Sequence, residues 1–204
     1  MTFSTSNMPI KFLAGHNTII YGQSQCGKTH FMLQVIDKKL IEPMPEKIFF
    51  MYNCEQDFMK RYPNIVFIKG LDFSLVEPDS VLIIDDLALE TNKEVAKTFL
   101  MSSHHSRLSV FLITQTLFLN CNIFRTVSLN AHYMVLFQNR RSHRQVSTLA
   151  HQVFCGKDVN RILHAYKRAC TKDRGFVLLS FSPLLPGELT VLTDFWSQCP
   201  SVYL

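Results

Sequence analysis

Two glycines bracket four residues in Gly22-Gln23-Ser24-Gln25-Cys26-Gly27-Lys28-Thr29, and a lysine and a hydroxyl follow at once. This GxxxxGK[ST] spacing suits a polyphosphate. Glycines let the chain turn tightly, so successive backbone N–H groups face inward around phosphate oxygens at the start of a helix. Lys28 would set its ammonium against the β- and γ-phosphates, and the Thr29 hydroxyl would ligate Mg²⁺. Residues Gly22 to Thr29, with His30 directly after them, are the candidate nucleotide-binding residues, and ATP with Mg²⁺ is the expected ligand pair.

Two more features carry compatible chemistry. Val81-Leu82-Ile83-Ile84 is an apolar run that ends in Asp85-Asp86. A buried strand ends in adjacent acids where something at its C-terminal edge uses them, and in open α/β sheets ligands bind at that edge. Asp85 is the candidate metal ligand, acting with Thr29. Asp86 is the candidate general base for an attacking water, its alternative being a solvated loop acid or a helix cap. Leu112-Ile113-Thr114 likewise ends in an amide, Gln115, 29 residues beyond Asp86. From a neighbouring strand that amide could sense the γ-phosphate or position the water; otherwise it bonds only to loop backbone.

The elements around these residues alternate. Asn17–Tyr21, Lys47–Tyr52, Ile65–Ile68, Val81–Ile84, Ser109–Thr114 and His132–Phe137 read as strands, and Gly175–Ser180 as the strand that closes the sheet. Continuous apolar runs such as 81–84 fit strands covered on both faces. Phe31, Met32, Val35, Ile36 and Leu40 recur at helical spacing, with Glu42-Pro43 as the expected stop. Thr91-Asn92-Lys93-Glu94 and Ser142-His143-Arg144-Gln145 have the form of capping boxes opening helices. Val159, Ile162, Leu163 and Tyr166 mark another helix, with Lys167 and Arg168 at its dipole-favoured end. Alternation of this kind predicts a mainly parallel twisted sheet flanked by helices, and the Gly22–Thr29 motif between a strand and a helix makes it an α/β fold of the P-loop NTPase type.

Composition sets the outer limits. A chain of 204 residues suits one domain, 1–204, with 1–14 expected as a flexible or peripheral segment. With 47% hydrophobic and 18% charged residues, and 17 Phe, it is not a disordered chain. No apolar run approaches the roughly 18 residues of a membrane span, and the first residues lack the form of a signal peptide. A soluble intracellular protein is expected. The six cysteines, at 26, 54, 121, 155, 170 and 199, have no metal-finger spacing and read as scattered thiols. A net charge of +5 permits a polyanionic partner without requiring one.

Gly22–Thr29, Ile83–Leu87, Ser103–Phe118 and Arg125–Phe137 together resemble the FtsK–HerA superfamily of DNA-pumping ATPases. Within it they are similar to the genome-packaging ATPases of Polinton/Maverick elements, adintoviruses, virophages and poxvirus-type DNA viruses. The likeness runs from about residue 15 to residue 180, and the stretch 103–137 is its most specific part. It implies an additional-strand core like those of RecA and FtsK, and a homo-oligomeric ring, pentamer or hexamer. It also implies ATP-driven movement of double-stranded DNA into a capsid, through sequence-independent backbone contacts, in the host nucleus or cytoplasm or with the virion, and a trans-acting arginine finger. Arg107 is the position chosen for the finger, with Arg140, Arg141 and Arg144 in competition. Related packaging proteins usually read Asn-Pro-Arg-Asp after the segment corresponding to Leu136-Phe137; here the text is Gln138-Asn139-Arg140-Arg141-Ser142, which leaves the role of that turn open. His104-His105 belongs to the family-like text and reads as a structural helix-end pair. Two other functions compete: a small P-loop kinase, and a nucleotide-binding module that props up an assembly without turnover.

Overall fold

The computed structural model describes residues 11–87, 93–101, 106–118, 121–197 and 200–203. Along the chain run β1 (Phe12–Leu13), β2 (Thr18–Tyr21), α1 (Lys28–Asp37), β3 (Ile41–Glu42), β4 (Ile48–Tyr52), β5 (Ile65–Lys69) and β6 (Val81–Asp85). They are followed by α2 (Lys93–Met101), β7 (Ser109–Thr114), α3 (Cys121–Leu129), β8 (Tyr133–Phe137), α4 (His143–Val153) and α5 (Lys157–Ala169). The chain finishes with β9 (Phe176–Ser180), β10 (Val191–Thr193) and β11 (Ser201–Val202).

The main sheet has the order β11-β10-β9-β8-β2-β7-β6-β4-β5. From β5 to β8 neighbours are parallel, whereas β9, β10 and β11 are added antiparallel. The strand leading into the phosphate loop, β2, is therefore separated from the acid-tipped β6 by one additional strand, β7, the one that ends in Gln115. Register aligns Tyr21 with Thr114 and Leu136, Asp85 with Ile113, and Tyr52 with Asp85. The strand ends that carry chemistry thus share one edge.

Helices cover both faces, which explains why β2, β6, β7 and β8 are apolar without alternation. Ile19, Leu82, Ile84, Val110, Leu112, Met134 and Leu136 pack under α2, α3, α4 and α5 through Val95, Phe99, Val127, Leu149 and Ile162. On the reverse face Ile20, Ile83, Phe111, Ile113 and Val135 pack under α1 through Phe31, Met32 and Val35. There Phe31 meets Phe176 edge-on with ring centroids 4.9 Å apart, and Phe137 at 5.9 Å. A cluster of this kind pins α1 only three residues after Lys28, so the helix that presents the phosphate loop is held by aromatic packing.

Several expectations change. The end of the 1–14 segment is not peripheral: Phe12 is 2% exposed, within edge-on range of Phe111 and Tyr133, and β1 pairs with β3. Residues 1–10 lie outside the described residues. Helix α1 stops at Asp37, before Glu42-Pro43, because Lys39 turns left-handed and Ile41–Glu42 becomes a strand. Strand β9 does not close the sheet; β10 and β11 extend it, since the antiparallel β9 still offers a free edge. Ser142 stands at the N-cap of α4, but its side chain makes no capping bond. Gln145 is drawn away to the β7 end, where Oε1 accepts from the Leu117 N–H at 2.8 Å. Thr91-Asn92 and His104-His105 lie outside the described residues.

Candidate nucleotide and metal site

The phosphate loop closes over the end of β2. Gly27 has φ 105° and Gln25 φ 63°, the left-handed turns that let the loop fold back to a helix N-terminus. Gly22 has no room for a side chain: a Cβ there would lie 2.6 Å from both Cys26 Sγ and Phe137 Cβ. Lys28 is 8% exposed, and its ammonium donates to the Gly22 and Gln23 carbonyls, each at 2.9 Å. It lies inside the loop, on the side where phosphate oxygens would have to sit. Ser24, Gln25 and His30 are exposed around it.

Thr29 and Asp85 meet. The Thr29 hydroxyl donates to Asp85 Oδ2 at 3.1 Å, and Gln56 Nε2 donates to the same oxygen at 3.4 Å. Asp85 is buried. Burial pushes its carboxyl above the usual carboxylate range and the Asp86 charge adds to this, while the Thr29 and Gln56 hydrogen bonds and the Lys28 ammonium pull it down. A buried carboxylate beside a hydroxyl is an oxygen pair that suits a hard divalent cation, and such an ion would relieve the cost of the buried charge, so these residues fit Mg²⁺.

Asp86 and Gln115 also meet. Asp86 turns left-handed (φ 54°), donates its N–H to the Ile113 carbonyl at 3.2 Å, and stands exposed. Gln115 Nε2 donates to Asp86 Oδ2 at 2.7 Å. The Gln115 amide thus bonds to a carboxylate side chain and not to loop backbone. The pair can hold a water between a proton acceptor and an amide.

The turn after β8 buttresses the loop from the other side. Gln23 donates its N–H to the Gln138 carbonyl at 3.5 Å, and its side-chain Oε1 accepts from the Arg140 N–H at 3.0 Å. Gln23 thus braces the loop with its side chain. Beneath it lies a buried network. Tyr166 Oη accepts from the Asn139 N–H and donates to the Phe137 carbonyl, both at 3.1 Å, and Asn139 Nδ2 donates to Tyr21 Oη at 2.9 Å.

Arg107 is not brought to this site. It precedes β7 whereas Gln115 follows it, so Arg107 lies at the opposite edge of the sheet, exposed and paired with Asp79 at 3.3 Å. Arg140, Arg141 and Arg144 are exposed at the site's own edge, and Arg140 lines a cavity beside the loop. Sequence reasoning missed Gln56 and Arg174. Gln56 carries no motif, only its place after the end of β4. Arg174, 147 positions beyond Gly27, lays its side chain against that glycine, its Cδ 3.3 Å from where a Cβ would stand.

No family model matches the chain, and no curated protein does. Solved structures do. The DNA-packaging ATPase B204 of Sulfolobus turreted icosahedral virus aligns with a TM-score of 0.56 at 13% identity, over 94% of this chain and 98% of that one. The genome-packaging NTPase B204 of Sulfolobus turreted icosahedral virus 2 aligns in its sulfate complex with a TM-score of 0.55 at 12% identity, over 97% of each chain. Its complex with ATP-γS gives 0.53 at 13% identity, over 97% and 98%. At such identities the likeness speaks for the fold, and it extends over almost the full length of both chains: this chain has the α/β fold of the P-loop NTPases, in the form also taken by those viral packaging proteins.

Proposed function

We propose that the chain is an ATP-hydrolysing motor that packages a viral or transposon double-stranded DNA genome into capsids. The observation that carries the reading is the convergence of Lys28, the Thr29–Asp85 pair and the Asp86–Gln115 pair on one sheet edge, in a fold matched end to end by packaging NTPases. The residues also support the narrower affinity with the FtsK–HerA group and Polinton-like packaging ATPases.

In this reading the loop N–H groups and Lys28 bind the triphosphate, the ammonium exchanging its two loop carbonyls for phosphate oxygens. Thr29 and Asp85 hold Mg²⁺, which when bound neutralises phosphate charge. Gln115 orients a water against the γ-phosphorus, and Asp86 Oδ takes its proton as the new P–O bond forms and the β–γ bridge breaks. A positioned base of this kind contributes typically about 10²–10⁴-fold in rate.

Arg107 would act on a neighbouring copy's nucleotide, because its own loop lies at the far edge of the sheet; a trans arginine can contribute ~10³–10⁵-fold. A homo-oligomeric ring, pentamer or hexamer, follows from that role. Its DNA contacts would be to the phosphate backbone, independent of sequence, and weakened by salt. Positive charge for them is concentrated rather than spread: residues 138–174 hold nine of the 21 Lys and Arg, and two of the 16 Asp and Glu. Capsid proteins are the further partners expected. Among the described residues, no helix is long and apolar enough to cross a membrane.

The decisive experiment measures ATP turnover with and without double-stranded DNA at several salt concentrations, with oligomer size read in parallel. DNA-stimulated, salt-sensitive turnover by a ring is expected. Phosphoryl transfer to a nucleoside monophosphate, indifferent to DNA, would replace the motor with a small P-loop kinase. ATP binding without turnover in any oligomer would leave only a nucleotide-binding assembly module. For Arg107, inactive Arg107→Ala and inactive Asp86→Asn chains mixed in one ring are expected to restore part of the activity. No restoration would exclude action in trans.

A further inference from the structure

A triphosphate in this loop has a defined direction. Its γ end must face Asp86 and Gln115, which lie on the β6–β7 side of β2. The nucleoside therefore leaves toward the other side, where β8 and β9 stand. A polar cavity of about 460 Å³ opens there, lined by Gln25, Cys26, Gln138, Arg140, Lys172 and Arg174 among others. Its size falls in the roughly 300–1,000 Å³ range of small-molecule sites.

The cavity wall is built to hold one cation in place. The turn from Cys170 to Gly175 is locked onto the end of α5 by the Thr171 N–H to the Arg168 carbonyl at 3.2 Å, Lys172 N–H to Ala169 at 3.1 Å, and Gly175 N–H to Lys172 at 3.1 Å. Gly175 cannot be replaced, since a Cβ would lie 1.9 Å from the Ala169 carbonyl oxygen. Lys172 is already paired with Asp194. Arg174, by contrast, has no ion-pair partner among the described residues, and its stem crosses the loop at Gly27.

We propose that this cavity is the ribose-and-base subsite of the nucleotide, and that Arg174 is its principal binding residue, its guanidinium covering the nucleoside. The inference rests on the reading that the loop binds a nucleoside triphosphate. It adds a residue that no motif marks and gives the site a second wall from the far end of the chain. A planar guanidinium suits a base face by cation–π contact and ribose hydroxyl or purine acceptors by its N–H fork.

The test compares two ligands by calorimetry on the full chain: ATP, and inorganic tripolyphosphate, which has the phosphates without the nucleoside. Arg174→Asn is the variant, because asparagine tolerates the left-handed backbone at this position (φ 51°) and any loss then comes from the side chain. ATP affinity is expected to fall roughly tenfold while tripolyphosphate affinity changes less than about twofold. Lys28→Ala is expected to abolish binding of both. In parallel, 8-azido-ATP is expected to crosslink within 170–175. Equal losses for the two ligands, no loss for either, or crosslinks confined to the β6–β7 side would each overturn the proposal. If the unaltered chain bound tripolyphosphate and ATP equally well, the loop reading would stand and the subsite would fall. If it bound neither, both would fall together.

Discussion

Removing one oxygen atom, in Tyr166→Phe, tests how the site is supported from below. Tyr166 is 5% exposed and Asn139 5% exposed, so the groups around the phenol have little water to turn to. The change deletes the acceptor for the Asn139 N–H and the donor to the Phe137 carbonyl, both bonds at 3.1 Å. A buried N–H left unpaired costs about 1–3 kcal/mol, and the lost second bond about 1 kcal/mol or less, so a loss of about 2–3 kcal/mol is expected. For a domain of this size each kcal/mol moves Tm by about 2–4 °C, which gives a fall of about 4–12 °C. The same network holds the turn whose Gln138 and Arg140 backbone groups brace Gln23, so ATP affinity is expected to weaken as well. Differential scanning calorimetry with a double-mutant cycle against Asn139→Ala reads the coupling, expected at about 0.5–3 kcal/mol for residues in one network. A Tm change under about 2 °C, or strictly additive losses, would refute the view that this network carries the turn.

Three further outcomes are expected. Burial pushes the Tyr166, Tyr21 and Tyr133 phenols above the ordinary tyrosine value, so the folded state keeps protons that the unfolded chain loses near pH 10. Stability from these groups is thus complete below about pH 10 and lost as pH rises beyond it; Tyr166→Phe should make that decline shallower by up to ~1.4 kcal/mol per pH unit in denaturant titrations. Lys28→Ala is expected to abolish ATP binding, whereas Asp86→Asn and Gln115→Ala should bind ATP and lose turnover by about 10²-fold or more, read as single-turnover rates; normal turnover in Asp86→Asn would remove the base from Asp86. Gly22→Ala forces a Cβ to within 2.6 Å of Phe137 Cβ, and is expected to cost about 1–3 kcal/mol and to distort the loop, seen as a lower Tm together with lost ATP binding.

The sequence by itself determined the fold class and which candidate residues meet at one sheet edge. Gly22 to Thr29, Asp85, Asp86 and Gln115 were legible because each sits at the end of a local apolar run, and a parallel α/β sheet sends such ends to one edge. Strand β7 was readable to the residue, as a continuous apolar stretch between polar ends. The terminal strands β10 and β11 were not, being two or three residues long and placed by pairing with remote strands, β10 on β9 and β11 on β10. Capping at Ser142 failed for a related reason: Gln145 had a better partner in the distant Leu117 N–H than in its own helix start.

What only the tertiary structure decided is which remote residues share the pocket. Local pattern cannot reveal that Gln56 reaches Asp85, that Gln23 is held by the turn after β8, or that Arg174 crosses Gly27, because each contact joins elements brought together by strand order. The opposite-edge placing of Arg107 and Gln115, eight residues apart, is by contrast legible in the sequence: one precedes and the other follows a six-residue strand, which at about 3.3 Å per residue separates them by roughly 20 Å. Periodicity records what a residue does to its neighbours in sequence, whereas a binding site is assembled across the sheet.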